Sequence, residues 1–374
     1  MGSLKIKSKN AEERKAYWIM VLPAFAIYIL VMGFPIIISF ILSLSNYNGG
    51  KMFGGEAWKI TGFQQYSKLI VDPSFWYALR NNIYVVIISV FGQLPLGLFL
   101  AYLIYRKTVR FGDFWQGVLY VPAIISVIVI GIMWSMIFSP YGPLSEIVNK
   151  YHSHVYTREL TQIFNQEKGF LISDNLVQKI YALSGSIVDQ TFSTSAEFKQ
   201  FLLTYSPDQL DVLKSDLCNL FSPKWSSDFL NKRDIAMIPI LFVTLWIWTG
   251  LYLILFLGNM QKISPQILEA ATIDGASEGE VLIHIILPSL SGVIMNASIL
   301  CIAGSLSGFD LIFAMTGGGP ARITQVLSIY MYENAFMGAP NYPLANAISM
   351  TIVVFSFLLV AITKGVEKKM GGVE

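Results

Sequence analysis

Residues 264–288 read SPQILEAATIDGASEGEVLIHIILP, a polar stretch with an uncharged apolar run on each side. Ser264 is a typical N-cap and Pro265 fits the first helical position, so a helix is expected to begin here. Gly275 is expected to end it, because glycine readily adopts the left-handed conformation that follows many helices. The stretch therefore predicts a short helix, about 15 Å long at 1.5 Å per residue.

A second short helix is predicted directly after this turn. Ser277 and Glu280 have the spacing of a capping box, in which each side chain bonds the backbone N–H of the other residue. This helix is expected to end near Pro288. Residues 258–288, which we call the central loop, are thus expected to form a helix–turn–helix between two membrane spans.

The composition is typical of a membrane protein. Of the 374 residues, 54% are hydrophobic and 13% are charged, whereas about 25% are charged in a typical soluble domain. This excludes an ordinary cytosolic enzyme and a disordered chain. The net charge of +2 gives no sign of a nucleic-acid-binding surface. Only two cysteines occur, Cys218 and Cys301, so a disulfide framework is not expected.

Six windows are apolar over the roughly 20 residues that a helix needs to cross the hydrocarbon core. They lie at about 18–44, 82–105, 115–139, 235–257, 290–315 and 342–363. The predicted fold class is therefore an all-α polytopic membrane protein with six transmembrane helices. The first window is too long for the core of a signal peptide, so we expect it to be a retained span.

Charged residues are concentrated between the third and fourth windows. Of the 94 residues in 141–234, 20 are charged, against 30 of the other 280. This segment has no run long enough to span, and parts of it show apolar residues at helical spacing. We expect three regions: 1–140 with a tail and three spans, 141–234 as a small, mainly helical inserted domain, and 235–374 with three spans and the central loop.

The distribution of Lys and Arg predicts the orientation. The N-terminal tail, residues 106–113, the central loop and the C-terminal tail fall on one side and carry more basic residues than the opposite short loops. This places both termini in the cytoplasm and makes the insertion extracytoplasmic.

The central loop also carries a sequence motif. It consists of Glu-Ala-Ala, three residues, Gly, nine residues, Ile, one residue and Leu-Pro, at Glu269, Ala270, Ala271, Gly275, Ile285, Leu287 and Pro288. The motif resembles the cytoplasmic signature loop of permease subunits of binding-protein-dependent ABC importers. In that family the first loop helix is the coupling helix, which is seated in a cleft of the ATP-hydrolysing subunit.

Two further stretches narrow the resemblance to sugar transporters related to the larger maltose permease subunit. Residues 309–320 read FDLIFAMTGGGP, and residues 72–82 read DPSFWYALRNN. The likeness covers nearly all of the chain outside 141–234. That insertion is the clearest departure, because the family usually joins these two spans by a short loop. Its role is either contact with a binding protein or a lineage-specific addition.

The resemblance implies a transmembrane subunit that imports a sugar or oligosaccharide across a bacterial inner membrane by ATP-driven alternating access. It also implies the partners: a second, non-identical permease, two ATP-binding subunits, an extracytoplasmic sugar-binding protein and membrane lipid. ATP and Mg are expected on the ATP-binding subunits. No cofactor is expected on this chain, which is not expected to be an enzyme.

The resemblance further assigns two sets of residues. Those expected to couple to the ATPase are Glu269, Ala270, Ala271, Asp274 and Gly275. Counting from Glu269 without gaps, the positions expected to line the sugar pathway are Thr244, Trp248, Gly304, Ser305 and Gly308. Tryptophan in a span can also be an interfacial anchor or a packing residue, and both interpretations stay open for Trp248.

The sequence lacks the motifs of several other functions. No G-x-x-x-x-G-K-[ST] loop occurs, so nucleotide binding by that mechanism is excluded, and residues 317–320 (GGGP) predict a tight turn. His152 and His154 are more typical of a solvated pair than of a metal site. Within the spans Asp310 is the only candidate acid, which disfavours a gradient-driven carrier. That carrier and a membrane receptor sensing a ligand through 141–234 remain the alternatives.

Overall fold

The structure is a computed structural model of the chain, and it describes residues 2–50, 58–148, 200, 229–233 and 235–369. Within these residues the regular backbone is helical, apart from one isolated bridge between Ser45 and Ile60. The predicted all-α fold class is confirmed. The insertion predicted at 141–234, with its expected helices, His152 and His154, lies almost wholly outside the described residues.

The helices whose bounds lie wholly within the described residues follow one another along the chain. In chain order they are Gly2–Tyr28, Phe34–Ser43, Gln64–Val71, Pro73–Ile88, Leu94–Tyr105, Gly112–Ile124, Val127–Ile137, Met237–Met260, Pro265–Ile273, Glu278–Val281, Leu287–Ser289, Ser291–Ser307, Asp310–Thr316, Leu327–Phe336 and Tyr342–Lys369. Three π-helical turns join some of these helices end to end, at Ile29–Gly33, Ser89–Gln93 and Leu282–Ile286.

Five helical segments of the described part are long and apolar enough to cross a membrane, and a bent pair of helices makes a sixth. We name them TM1 (Lys15–Ser43), TM2 (Pro73–Tyr105), TM3 (Gly112–Ile124 with Val127–Ile137), TM4 (Met237–Met260), TM5 (Ser291–Thr316) and TM6 (Tyr342–Gly365). With the bent pair taken as one span, these are the six predicted spans.

Two spans differ from the predicted windows. TM2 begins at Pro73 rather than at position 82, because the Asp72 side chain caps the helix by accepting a hydrogen bond from the Ser74 N–H at 2.8 Å. TM3 is not straight, since its two helices meet at an angle of 96°. The first of them ends at Ile124, and the next residue, Ile125, has an extended backbone.

A proline follows each of the three π-helical turns. Pro35, Pro95 and Pro288 each stand second in the α-helix after the turn. Proline has no N–H, and its ring crowds the carbonyl four residues earlier, which in all three cases belongs to the π-turn. The wider turn accommodates that ring, so these helices continue through their prolines.

The main core lies where TM2, TM4, the central loop and TM5 meet. Its fully buried members include Phe256, Met260 and Ile286, each 0% exposed. TM4 reaches TM3 closely at Gly250, where an added Cβ atom would lie 2.0 Å from the Leu119 carbonyl oxygen. Glycine therefore lets these two helix backbones approach each other.

The chain divides into two compact units, Met1–Ile130 with Ile240–Glu374, and Gly131–Pro239. The first unit contains the core described above. In the second, the rings of Trp134 and Phe138 stack with their centroids 5.3 Å apart. The predicted division into 1–140, 141–234 and 235–374 stays a prediction.

Candidate functional site

The central loop forms the two predicted helices. The first loop helix, Pro265–Ile273, begins after Ser264, which has the extended backbone of an N-cap. Ser264 is thus the predicted N-cap residue, although its side chain makes no capping hydrogen bond. Gly275 has a φ of +81°, and the Ala276 N–H donates to the Ala271 carbonyl at 2.9 Å. The predicted C-terminal turn is therefore confirmed.

The first loop helix has a buried side and an exposed side. Leu268 is 9% exposed and belongs to the main core, and Ala271 is half-buried against it. Ile267 and Ile273 are 52% and 86% exposed. The other predicted coupling residues are also exposed: Glu269, Ala270, Asp274 and Gly275. The exposed surface thus combines small, apolar and acidic groups.

The second loop helix, Glu278–Val281, begins with the predicted capping box. The Ser277 N–H donates to Glu280 Oε2 at 2.7 Å, and the Glu280 N–H donates to Ser277 Oγ at 3.4 Å. The hydrogen bonds from Ser277, the backbone one first, hold the pKa of Glu280 below its ordinary value. His284 follows on the exposed surface, with Nδ1 3.2 Å from the Glu280 carbonyl oxygen.

TM2 binds a carboxylate of the second loop helix, a contact that sequence analysis missed. Arg106 Nε donates to Glu278 Oε2 at 2.8 Å, and its Nη2 pairs with Oε1 of the same carboxylate. The Tyr102 hydroxyl donates to Glu278 Oε2 at 2.7 Å. The bond from Arg106, followed by that from Tyr102, holds the pKa of Glu278 below its ordinary value. Because 172 positions separate Arg106 and Glu278, no local pattern predicts the pair.

The predicted pathway residues of TM4 lie in the interior. Thr244 is buried, and its hydroxyl donates to the Ile240 carbonyl of its own helix at 2.7 Å. Trp248 is half-buried and packs against the main core, as a helix-packing residue would. A role in substrate contact stays a prediction for both residues.

The predicted pathway residues of TM5 have different surroundings. Ser305 is buried and donates its hydroxyl to the Cys301 carbonyl at 2.7 Å. Gly304 is exposed. Gly308 is half-buried at the break in TM5, where its carbonyl accepts a hydrogen bond from Ser328 Oγ at 2.8 Å. The structure therefore places one of the three in the interior and one on the exposed surface.

Gln93 links TM2 to both of these spans and was missed by sequence analysis. Its Nε2 donates to the Thr244 carbonyl at 2.9 Å, and its Oε1 accepts from Cys301 Sγ at 3.8 Å. Gln93 is the last residue of the π-turn in TM2, and such turns are frequent at functional sites. The available signal is that Gln93 is the single amide in the uncharged, apolar run from position 83 to position 105.

Buried amides of the motif stretch 72–82 bond residues on both sides of the motif stretch 309–320. Asn81 Nδ2 donates to the carbonyls of Ile323 and Gln325, both at 2.8 Å. Asn82 Oδ1 accepts from the Leu327 N–H at 2.7 Å, and its Nδ2 donates to the Leu306 carbonyl at 3.3 Å. The asparagines therefore fix the chain that follows TM5 against TM2.

Asp72 and Arg322 extend this connection beyond the asparagines. The Tyr330 hydroxyl donates to Asp72, and Arg322 Nη1 donates to Ser74 Oγ at 2.8 Å. Burial raises the pKa of Asp72, but the hydrogen bonds from Tyr330 and Ser74 outweigh burial and leave the pKa below its ordinary value.

The predicted turn at residues 317–320 is present. Gly317 and Gly318 have φ values of +60° and +88°, and the Gly319 N–H donates to the Thr316 carbonyl at 3.0 Å. Among the residues that the structure describes, no three His, Cys, Asp or Glu side chains are grouped so that they could hold a metal ion.

The family described as the inner membrane component of binding-protein-dependent transport systems matches residues 93–372. The chain belongs to this family. The resemblance to ABC-importer permeases is therefore confirmed, and the protein is a multi-pass inner-membrane component of such a system. The orientation of its termini stays a prediction.

Curated relatives match along nearly the whole chain. The lactose transport system permease protein LacF of Rhizobium radiobacter is 26% identical over 347 residues, which cover 91% of each chain. The arabinooligosaccharides transport system permease protein AraP of Bacillus subtilis is 22% identical over 352 residues, 94% of this chain and 88% of AraP.

A solved structure shows the same fold. It is a crystal structure of a bacterial ABC transporter involved in the import of the acidic polysaccharide alginate. The TM-score is 0.63, with 17% identity, over 97% of this chain and 98% of that chain. A second structure of a bacterial alginate transporter, in complex with an alginate pentasaccharide-bound periplasmic protein, gives a TM-score of 0.60.

Proposed function

We propose that this chain is one transmembrane permease subunit of an ABC importer that moves a sugar or oligosaccharide into the cell. ATP, with Mg, is hydrolysed on two partner subunits, and this chain carries no catalytic residue of its own. A second, non-identical permease completes the membrane part, and an external sugar-binding protein delivers the substrate. Both termini and the central loop face the cytoplasm.

The first loop helix provides the main support for this proposal. Its exposed side presents Ile267, Ile273 and the small Ala270 to a partner, while Leu268 fixes its other side to the main core. A displacement of this helix is transmitted directly to TM4 and TM5, because the central loop connects these two spans covalently. Closure of the ATPase pair would thereby switch the spans from inward-facing to outward-facing.

The sugar assignment is supported by the relatives, whose names include lactose and arabinooligosaccharide transport. A sugar pathway needs hydrogen-bonding groups and flat apolar faces. Thr244 and Ser305 supply hydroxyls, Trp248 supplies an aromatic ring, and Gly304 and Gly308 carry no side chain. We propose these five as the substrate contacts of this subunit.

A pair of matched glycine substitutions tests the coupling role. Gly275→Val forces a β-branched residue into a left-handed conformation, which costs roughly 1–2 kcal/mol, although the space around Gly275 is open. Gly279→Val makes the same change four residues later, where the space is also open and the backbone is helical. We expect ATP-dependent sugar uptake to fall about tenfold in the Gly275→Val variant, since 1.4 kcal/mol corresponds to a factor of ten. In the Gly279→Val variant, uptake should stay within about twofold of wild type.

The assay is ATP-dependent sugar uptake into proteoliposomes that contain the complete complex. Equal uptake by the two variants would contradict the coupling role of the first loop helix. Uptake that continues with a hydrolysis-deficient ATPase would instead support the gradient-driven carrier. Glu269→Lys provides an independent variant, because it reverses the charge on the exposed side of the same helix.

A further inference from the structure

Three donor groups at the end of TM2 converge on one carboxylate of the central loop. Tyr102 and Arg106 are four residues apart on one helical face. The Tyr102 hydroxyl reaches both Glu278 Oε2, at 2.7 Å, and the Glu278 carbonyl, at 3.2 Å. Arg106 binds both carboxylate oxygens, one of them from Nε at 2.8 Å. We call these three residues the carboxylate clamp.

The position of Glu278 gives the clamp a use beyond stability. Glu278 is the first residue of the second loop helix and stands three positions after the left-handed Gly275. The loop is covalently attached to TM4 and TM5 but not to TM2. The clamp therefore adds a directional, charged attachment between the loop and a third span, beside the apolar packing of the main core.

We propose that Tyr102 and Arg106 are positioning residues that transmit movement of the central loop to TM2. TM2 carries Gln93 in its π-turn, which bonds TM4 and TM5. Through the clamp, a displacement of the loop moves the cytoplasmic end of TM2 together with TM4 and TM5. This inference rests on the proposed coupling role of the loop.

The Glu278 side chain is 64% exposed and that of Arg106 is 23% exposed. An ion pair whose carboxylate is mostly exposed contributes little to stability, so loss of the clamp is expected to appear as lost coupling and not as unfolding. The readout is therefore sugar taken up per ATP hydrolysed by the complete complex in proteoliposomes, with complex yield measured in parallel.

Charge exchange tests the clamp. Arg106→Glu and Glu278→Arg should each lower uptake per ATP at least fivefold with unchanged complex yield. The double variant should return to within twofold of wild type. The control is Lys107→Glu, the same charge reversal on the next residue, whose side chain is exposed; it should leave the ratio unchanged. Single variants with normal uptake per ATP, or a double variant no better than the singles, would overturn the proposal.

A cross-linking measurement tests the carboxylate clamp independently of transport. With Lys107→Cys and Gly279→Cys in a Cys218→Ser background, cross-linking yield reports how closely the loop is held to TM2. The yield should fall at least threefold when Glu278→Gln is added, and an unchanged yield would overturn the clamp. A wild-type complex without ATP-driven uptake would contradict the proposed function, while this cross-linking result would still decide whether the clamp exists.

Discussion

Asn82 shows how a single side chain can fix several segments of a membrane protein. Its side chain is 0% exposed, and it bonds the Leu327 N–H and the carbonyls of Ser305 and Leu306. In a span such groups have no water as an alternative partner. The Asn82 amide therefore has a structural role, although the sequence suggested it only as part of a family motif.

Replacing this amide should destabilise the fold. Asn82→Ala leaves an N–H and two carbonyls without their partner, at a cost of about 1–3 kcal/mol. We expect a lower midpoint when the detergent-solubilised protein is heated and its remaining folded fraction is measured by size-exclusion chromatography. Ile83→Ala is the control, because that neighbouring side chain is 47% exposed. Equal midpoints for the two variants would contradict this role.

Asp72 provides a test that depends on pH. Its pKa is lowered from the ordinary value of 3.8, so the ionised form stabilises the folded state above that value, and this contribution is lost as pH falls through the lowered pKa. Asp72→Asn keeps a capping oxygen but removes the charge. The variant should unfold about 1 kcal/mol more easily than wild type at about pH 7. The difference should narrow as the pH falls below 3.8 towards the lowered pKa, and a constant difference would contradict the assignment.

Local sequence predicts some of these residues and not others. Gly275 and the Ser277–Glu280 box were predictable because turn chemistry and capping depend on neighbours within a few positions. The Asn82 and Glu278 contacts were not, because their partners lie 172 to 245 positions away. Hydrophobic patterning predicts which residues are buried, but it does not predict which distant polar group a buried amide or an interfacial carboxylate will meet.

At the scale of helices, apolar length predicted all six spans but not their bends. The windows succeed because about 20 apolar residues are needed to cross the membrane. They placed the start of TM2 too late, because Arg80, Asn81 and Asn82 look like a polar boundary although the helix continues through them. The 96° bend in TM3 has no counterpart in the apolar pattern, which runs through it without a break.

Two glycines of TM4 provide a matched test of helix packing. Gly250→Ala would place a Cβ atom 2.0 Å from the Leu119 carbonyl oxygen and 2.9 Å from Tyr120 Cα, so TM3 and TM4 must move apart. We expect a loss of about 1–3 kcal/mol, seen as a lower thermal midpoint in detergent. Gly258→Ala in the same helix meets nothing within 4 Å and should leave the midpoint unchanged or slightly raised. A lower thermal midpoint for Gly258→Ala than for Gly250→Ala would contradict the close packing of TM3 and TM4 at Gly250.

At the scale of the whole molecule, burial is uneven among the spans. TM4 is the most enclosed, with 56% of its apolar window buried within the chain, whereas none of the TM1 window is buried. The exposed faces of TM1 include Phe25, Ile27 and Leu30, each more than half exposed. In the proposed complex such faces meet lipid or the second permease. This distribution is that of a subunit whose core is built around TM4 and the central loop.

In the proposed function, the central loop couples this permease to a separate ATPase. The most direct test is purification of the tagged chain from its native membranes, followed by mass spectrometry of the proteins that accompany it. We expect a second, non-identical permease and an ATP-binding subunit, and we expect the ATP-binding subunit to be lost when Glu269→Lys is introduced. Recovery of the chain alone, or only with copies of itself, would contradict the coupling role of the central loop.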